Sequence, residues 1–233
     1  MALNPAPLDF GTSASTVQSS TRNRVLRNTY LLLAISMVPT VVGAWVGLRT
    51  GFNLFGLGGF TGLIAFLAIA FGFMFAIEKF KNSAIGVGLL LGFTFFMGLM
   101  LSRLLGFVLG MGNGTALVMT AFTGTALIFG AMATVATVSK RDFSGMGRWL
   151  MIGFITVFVA AIANIWLQMP ALTLTVSALF VVIFSGFILY DLQRIVNGGE
   201  TNYVTATLSI YISIYNVFSN LLAILGITGG SND

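Results

Sequence analysis

Seven apolar stretches, each about 20 residues long, take up most of this 233-residue chain. A helix needs about 20 consecutive apolar residues to cross the hydrocarbon core of a bilayer. Because lipid offers no hydrogen-bond partners to the backbone, such spans must be helical. The predicted spans are Thr29–Leu48, Gly58–Ile77, Ala84–Leu104, Thr115–Val138, Trp149–Gln168, Ala171–Tyr190 and Val204–Ile227. The sequence therefore predicts an all-α membrane protein whose seven transmembrane helices form one bundle over residues 28–230.

The composition excludes several classes of protein. Charged residues make up 7% of the chain, against about 25% in soluble globular proteins, so a soluble domain or a disordered chain is excluded. The chain has no cysteine, which removes disulfides, thiolate metal sites and a cysteine nucleophile. It has no histidine either, which removes Ser-His catalysis and histidine-ligated metals. We expect no bound metal and no nucleic-acid partner.

The segment before the first span, residues 1–27, is polar. Its centre, GTSASTVQSS at residues 11–20, consists of small and polar side chains that cannot pack a core. We predict a soluble, disordered amino-terminal tail.

Basic residues are distributed unequally between the two sides of the predicted bundle. One side carries nine: Arg22, Arg24, Arg27, Lys79, Lys81, Lys140, Arg141, Arg148 and Arg194. The other side carries Arg49 and Arg103. The positive-inside rule then places the amino-terminal tail in the cytoplasm. With an odd number of spans, the carboxyl terminus lies on the opposite side of the membrane.

Asp191 is the most informative acid, because it follows about twenty mostly apolar residues at the end of the sixth span. Acids at membrane depth are costly and usually face a bundle interior or a wet cavity. Asp191 is therefore a candidate proton- or cation-sensing group. The alternative is an interfacial ion pair with Arg194, one helical turn further on.

Two other charged residues are candidates for ion pairs. Arg103 lies near the end of the third span, where it either reaches the interface or pairs with an acid inside the bundle. Glu78 closes the second span beside Lys79, as an interfacial charge does.

Polar residues follow one face of the seventh span. Their spacing of 4, 3 and 4 residues places them on one side of a helix: Ser209, Ser213, Asn216 and Asn220. Such a face either lines a pore or hydrogen-bonds to other helices. Tyr211 and Tyr215 form a neighbouring pair.

Small residues also predict where helices approach one another. Gly88 and Gly92 form one pair at four-residue spacing in the third span, and Gly106 and Gly110 form another. Pairs of this kind allow close backbone contact between transmembrane helices.

An aspartyl protease is excluded. Tyr190 and Asp191 resemble half of the catalytic pair of intramembrane aspartyl proteases, which need a second aspartate on the next helix. The seventh span contains no acid, so the second carboxylate is missing. We therefore expect a protein without enzymatic activity and without a cofactor.

Several stretches resemble a known family. FSGFILYDLQRIVNGGETNY at 184–203 and ATLSIYISIYNVF at 206–218 are similar to the carboxyl-terminal signature of the Bax inhibitor-1 family, the transmembrane BAX inhibitor motif proteins. VLRNTY at 25–30, GTALIF at 124–129 and SKRDFS at 139–144 resemble its bacterial, YccA-like branch. The similarity covers the chain after residue 21.

The resemblance implies a fold and two functions. Family members are seven-helix bundles with the last helix at the centre. The YccA-like branch implies a bacterial inner-membrane protein that is both substrate and modulator of FtsH, a membrane-anchored AAA+ protease engaged through the cytoplasmic tail. Other members are pH-sensitive calcium leaks gated by two aspartates, on spans six and seven. Asp191 matches the first, but Ser213 occupies the second position, so the chain departs from that pattern.

The sequence thus favours one function and keeps an alternative. The leading hypothesis is an inner-membrane modulator of FtsH, with membrane lipid and FtsH as partners. The alternative is a pH-sensitive calcium or cation leak channel through the bundle, with Asp191 and the polar face of the seventh span as its residues. A secondary transporter ranks last, because we see no inverted repeat and no matching pair of broken helices.

Overall fold

The computed structural model describes residues 10–139 and 141–229, and for residues 10–21 it describes the backbone alone. Within these residues the chain is helical, and seven helices are long and apolar enough to cross a membrane. Their bounds are α1 Phe10–Thr50, α2 Gly59–Phe80, α3 Ala84–Leu109, α4 Gly114–Val138, α5 Met146–Leu167, α6 Pro170–Val196 and α7 Tyr203–Gly229. A short 3-10 helix, Leu54–Leu57, precedes α2. The prediction of an all-α bundle with seven spans is confirmed.

The amino-terminal tail differs from the prediction. α1 begins at Phe10 and runs as one helix of 41 residues into the first span. The prediction of disorder is therefore wrong for residues 10–21, and residues 1–9 lie outside the described part of the chain. Once the apolar span has formed, extending a helix is much cheaper than starting one. This explains how a run of Gly, Ser and Thr can join a helix.

α7 occupies the centre of the bundle. It packs against α1, α2, α3, α4 and α6. Its fully covered side chains include Ile210, Val217 and Leu222. Apolar side chains that no protein covers lie on the outer helices, for example Phe75, Trp149 and Val182. Lipid is the natural environment for these outward faces.

α1 and α3 approach each other most closely. A Cβ atom added to Gly98 of α3 would lie 2.1 Å from the carbonyl oxygen of Thr40, and one added to Gly43 of α1 would lie 2.1 Å from that of Phe95. Since both positions are glycine, the two backbones can pack directly on each other.

Three contacts bring one set of helix ends together. Asn202, before α7, hydrogen-bonds to Asn82, before α3. Gln193, near the end of α6, hydrogen-bonds to Phe143, before α5. Arg22 of α1 reaches the carbonyl of Val196 at 3.4 Å. We call this end, to which the sequence assigns nine cations, the basic end of the bundle.

Candidate functional site

The loop between α6 and α7, residues 197–202, forms a tight turn at the basic end. Gly198 has a φ of 77°, a left-handed conformation that favours glycine. The carbonyl of Arg194 accepts hydrogen bonds from the N–H groups of Gly199 (2.8 Å) and Glu200 (3.2 Å). The guanidinium of Arg194 lies 2.7 Å from the Glu200 carboxylate and makes an ion pair with it. The turn is thus fixed by the backbone and by one charge pair.

Asn202 joins this turn to two helices. Its Oδ1 accepts hydrogen bonds from the N–H groups of Val204 (2.9 Å) and Thr205 (3.3 Å), which caps the start of α7. Its Nδ2 donates to the carbonyl of Lys81 (3.2 Å) and to Oδ1 of Asn82 (2.8 Å). One amide therefore ties α7 to the loop between α2 and α3.

Asp191 lies one turn before the end of α6 and is partly buried. Arg194 pairs with Glu200, and no ion pair joins it to Asp191. Within residues 10–139 and 141–229 the Asp191 carboxylate makes no hydrogen bond or ion pair. The structure therefore differs from the interpretation in which Asp191 forms an ion pair with Arg194.

The other two charges considered for ion pairs lie at opposite ends of the bundle. Glu78 makes an ion pair with Lys81, one turn away at the basic end. Arg103 is exposed, and its guanidinium lies 3.4 Å from Oδ1 of Asn53 in the loop after α1. No acid pairs with Arg103 in the part of the chain that the structure describes.

The polar residues of α7 bond mainly to their own helix. Ser213 is buried and donates to the carbonyl of Ser209 at 3.1 Å. The amide of Asn216 donates to Ile212, and that of Asn220 donates to Asn216, both at 2.8 Å. None of the four makes a side-chain hydrogen bond to another described helix, although Ser209, Asn216 and Asn220 are only half-buried.

A different side chain of α7 bonds across the bundle. The Tyr211 hydroxyl lies 2.7 Å from Oγ1 of Thr40 in α1 and 3.4 Å from the carbonyl of Thr94 in α3. The Thr40 hydroxyl also donates to the carbonyl of Ser36 at 2.9 Å. The sequence analysis singled out Tyr211 but missed Thr40, for which a buried hydroxyl in an apolar span was the available signal.

Gln193, also missed, holds the loop between α4 and α5. Its Oε1 accepts from the N–H of Phe143 and its Nε2 donates to the carbonyl of Arg141, both at 2.6 Å. The side chain is 4% exposed. An amide two residues after Asp191 and next to Arg194, at the end of a mostly apolar helix, was a signal that could have identified it.

Three of the features described above lie at the basic end: an acid without a described partner, two loops held by side-chain hydrogen bonds, and most of the cations. The described residues contain no group of three or more acids that could hold a metal ion. Such an arrangement offers charge and hydrogen-bond donors to a partner or a ligand.

Comparison with known proteins identifies relatives of the whole bundle. An uncharacterized protein of Neisseria meningitidis is 37% identical over 212 residues, which cover 90% of this chain and 93% of the relative. A protein of Escherichia coli named modulator of FtsH protease YccA is 40% identical over 204 residues, covering 88% of this chain and 90% of the relative. An uncharacterized membrane protein of Vibrio cholerae is 35% identical over 223 residues, covering 96% and 98%.

A family model confirms the resemblance seen in the sequence. The model described as inhibitor of apoptosis-promoting Bax1 matches residues 22–230, which contain all seven membrane spans. The match begins where the first span begins, so the segment before Arg22 lies outside it. This chain is a membrane protein that belongs to the Bax1-I family.

Proposed function

We propose that this protein is an inner-membrane modulator of an FtsH-type protease. The observation that carries the proposal is the 40% identity to the protein named modulator of FtsH protease YccA. That similarity covers 90% of the relative, so it concerns the whole bundle rather than one motif. No catalytic role is proposed for the chain itself, and the absence of enzymatic activity stays a prediction.

The proposal includes an orientation. The basic end, which carries nine of the 11 Lys and Arg residues, faces the cytoplasm under the positive-inside rule. The amino-terminal segment then lies in the cytoplasm and the carboxyl terminus in the periplasm. A tag accessible from the cytoplasm at the amino terminus and from the periplasm at the carboxyl terminus is the expected result. Both tags in one compartment would contradict the orientation.

The amino-terminal segment is our candidate for the contact with the protease. Residues 10–21 continue α1 beyond the membrane span that begins at Arg22. Their Gly, Ser and Thr content gives them low helix propensity. A short helix of such residues is marginal in water, so an unfolding protease can unwind it at little cost.

Co-purification from membranes tests the proposal. The intact protein should co-purify with FtsH, and its cellular level should rise when the protease is removed. A variant without residues 2–20 should lose most of the association. A variant with a Gly/Ser segment of equal length in place of residues 2–20 is the matched control. It shows whether the protease needs only a segment of this length or needs the native sequence of residues 2–20. No association, together with a level indifferent to the protease, would refute the proposal.

A cation leak is the second candidate function. It is favoured by Asp191, whose carboxylate has no partner among the described residues, and by the half-buried amides of Asn216 and Asn220 on the central helix. Protein in liposomes loaded with a calcium dye should then pass calcium faster as the pH falls. Asp191→Asn, which resembles the protonated carboxyl, should remove the pH dependence of the flux, whereas Asp142→Asn, in the exposed loop between α4 and α5, should not. Flux equal to that of empty liposomes at every pH would refute this candidate.

A further inference from the structure

A cavity of about 630 Å³ opens at the basic end. It lies between the start of the membrane-spanning part of α1, the loop from α2 to α3 and the loop from α6 to α7. The polar residues of its lining that matter here are Arg24, Asn28, Lys81, Asn82, Ser83 and Thr201. Neither candidate function uses this cavity.

The charge of the cavity wall is positive. Arg24 and Lys81 are part of the lining, and none of the lining residues is an acid. Two acids lie nearby, and one of them, Glu78, offsets the charge of Lys81, so Arg24 is the lining cation that has no acid partner among the described residues. Glu78 pairs with Lys81 from the last turn of α2, and Glu200 accepts from Arg194 and from the N–H of Asn202. The wall therefore favours an anionic ligand.

Several hydrogen-bond donors of the wall have no partner within the described part of the chain. They are the guanidinium of Arg24, the side-chain NH2 groups of Asn28 and Asn82, and the hydroxyl of Thr201. Ser83, at the start of α3, donates its hydroxyl back to Phe80 and makes no side-chain cap, so the first N–H groups of α3 also lack a cap. A ligand with several acceptor oxygens on one centre, such as a phosphate, matches this set of donors.

The position of the cavity indicates where such a phosphate comes from. The cavity is built at the ends of four spans, because α2 ends at Phe80, α3 begins at Ala84, α7 begins at Tyr203 and the first span begins at Arg22. The ends of membrane spans lie at the level of lipid headgroups. Phe80 and Ile85, which adjoin the lining residues Lys81 and Ala84 in the chain, are apolar and 38% and 59% exposed. An acyl chain can lie against them while its headgroup enters the cavity.

We propose that this cavity binds the phosphate-bearing headgroup of an anionic glycerophospholipid. Basic pockets between transmembrane helices recognise such headgroups by charge and hydrogen bonding. Arg24 and Lys81 supply the charge, while the amides of Asn28 and Asn82 and the hydroxyl of Thr201 supply further donors. The bound lipid would join the amino-terminal helix to the two loops that Asn202 already connects.

Native mass spectrometry of the full-length protein in detergent tests the proposal. The protein is titrated with phosphatidylglycerol and, separately, with zwitterionic phosphatidylcholine of the same acyl chains. We expect a preference for phosphatidylglycerol, and we expect Arg24→Gln and Lys81→Gln each to weaken its binding about fivefold. Arg24→Lys, which keeps the charge, should retain most of the affinity.

Two matched controls remove the same charge outside the cavity. Arg27→Gln lies one turn further along α1, and Lys79→Gln lies two residues before Lys81, and neither residue lines the cavity. Both should keep the affinity of the unmodified protein.

Equal losses of affinity in site and control variants would overturn the proposal, because they would indicate that the lipid is attracted by the overall positive charge and not by this cavity. Inorganic phosphate that protects the protein against heat as well as the lipid does would also overturn it, since the ligand would then be a soluble phosphate. Unchanged melting temperatures without lipid verify that the variants fold.

Discussion

α3 and α5 are both apolar membrane-spanning helices, but ten residues of α3 are buried and in α5 only Val157 is. α3 packs against α1, α2, α4 and α7, whereas α5 packs chiefly against α6. Their apolar composition is similar, so hydrophobicity alone does not decide which helix lies inside. The difference in burial follows from which helices each one contacts and how closely the backbones approach at those contacts.

The two interfaces are built differently. At the contact of α3 with α1, Gly98 and Gly43 leave no room for a side chain, and the two backbones pack on each other. At the contact of α5 with α6, aromatic rings interleave. The ring centroid of Phe154 lies 6.1 Å from that of Phe180 and 5.8 Å from that of Phe184. Direct backbone packing is intolerant of added atoms, while packed side chains have freedom to adjust.

The largest expected effect is that of adding one methyl group at each interface. The Cβ of Gly98→Ala would lie 2.1 Å from the Thr40 carbonyl oxygen and 2.9 Å from the Ala44 nitrogen. At Gly153 of α5 the nearest atom, Cδ1 of Ile183, is at 3.6 Å, an ordinary contact distance. We expect Gly98→Ala to lower the free energy of unfolding by about 3 kcal/mol, as severe overpacking does. Gly153→Ala should be neutral or should stabilise by up to about 1 kcal/mol, the gain in helix propensity.

Unfolding in mixed micelles with increasing sodium dodecyl sulfate measures both variants. Equal effects of the two substitutions would contradict the contrast between the interfaces. A stable Gly98→Ala variant would mean that α1 and α3 can separate without cost, and the central packing would have to be revised.

The next prediction concerns how α5 is held in place. Gln193→Leu removes both hydrogen bonds from α6 to the loop before α5 and leaves the Phe143 N–H and the Arg141 carbonyl without their partners. We expect a loss of about 2 kcal/mol, the sum of two modest net hydrogen bonds. Because the loop is then free to open, trypsin should cleave faster after Arg141, which is exposed.

Asn164→Leu is the matched control at the other end of α5. It removes the 2.7 Å hydrogen bond to Thr173 and the 3.0 Å hydrogen bond from the Met169 N–H. We expect a similar loss of stability with no change in cleavage after Arg141. Faster cleavage in both variants would indicate that α5 loosens as a whole, and Gln193 would lose its specific role.

The spans of this protein were predictable because the thickness of the bilayer sets a minimum length for an apolar helix. The faces of the helices were less predictable. Gly88, predicted to allow close contact, has no atom within 4 Å of an added Cβ, whereas Gly43 and Gly47, spaced in the same way, lie against α3. Spacing shows which small residues share a helix face, but it does not show which face meets a neighbour.

For the candidate site, the sequence predicted which polar residues share a helix face but not the partners to which they bond. The 4, 3, 4 spacing placed the four polar residues of α7 on one face, yet the side chains of Ser213, Asn216 and Asn220 donate to carbonyls of the same helix. The partners of Arg194 and Gln193 depend on how a turn folds back, which a single helix pattern does not contain. The prediction of an unstructured tail was wrong at residues 10–21. It was based on composition alone, which does not include the stabilisation that a segment gains by extending an adjoining helix.

A smaller effect is expected where α7 joins the close pair of α1 and α3. Tyr211→Phe removes the hydroxyl that lies 2.7 Å from Oγ1 of Thr40. Because the Thr40 hydroxyl still donates to Ser36, we expect a loss of about 1 kcal/mol or less, as for other hydrogen bonds between membrane helices. Tyr215→Phe, one turn away, removes a hydroxyl without a described hydrogen bond and should be neutral. Equal losses in the same denaturation experiment would show that hydroxyl burial, rather than the bond to α1, sets the effect.

The smallest effect concerns Asp142, in the exposed loop that leads into α5. The Ser144 N–H donates to Oδ1 of Asp142 at 2.9 Å and the Ser144 hydroxyl donates to Oδ2 at 3.0 Å, and these bonds hold the pKa of the carboxyl below its ordinary value. A lowered pKa means that the folded state favours the charged form, so the stabilisation is present above the ordinary pKa and is lost as the pH falls through the lowered one.

Ser144→Ala keeps the backbone bond but removes the other, so the pKa of Asp142 should rise towards its ordinary value in a carboxyl ¹³C NMR titration. Ser139→Ala removes a hydroxyl from the same loop that bonds to the Arg141 N–H and should leave the pKa unchanged. An equal rise of the Asp142 pKa in both variants would contradict the specific role of Ser144. It would mean that the conformation of the whole loop, which Gln193 also holds, sets the pKa of Asp142.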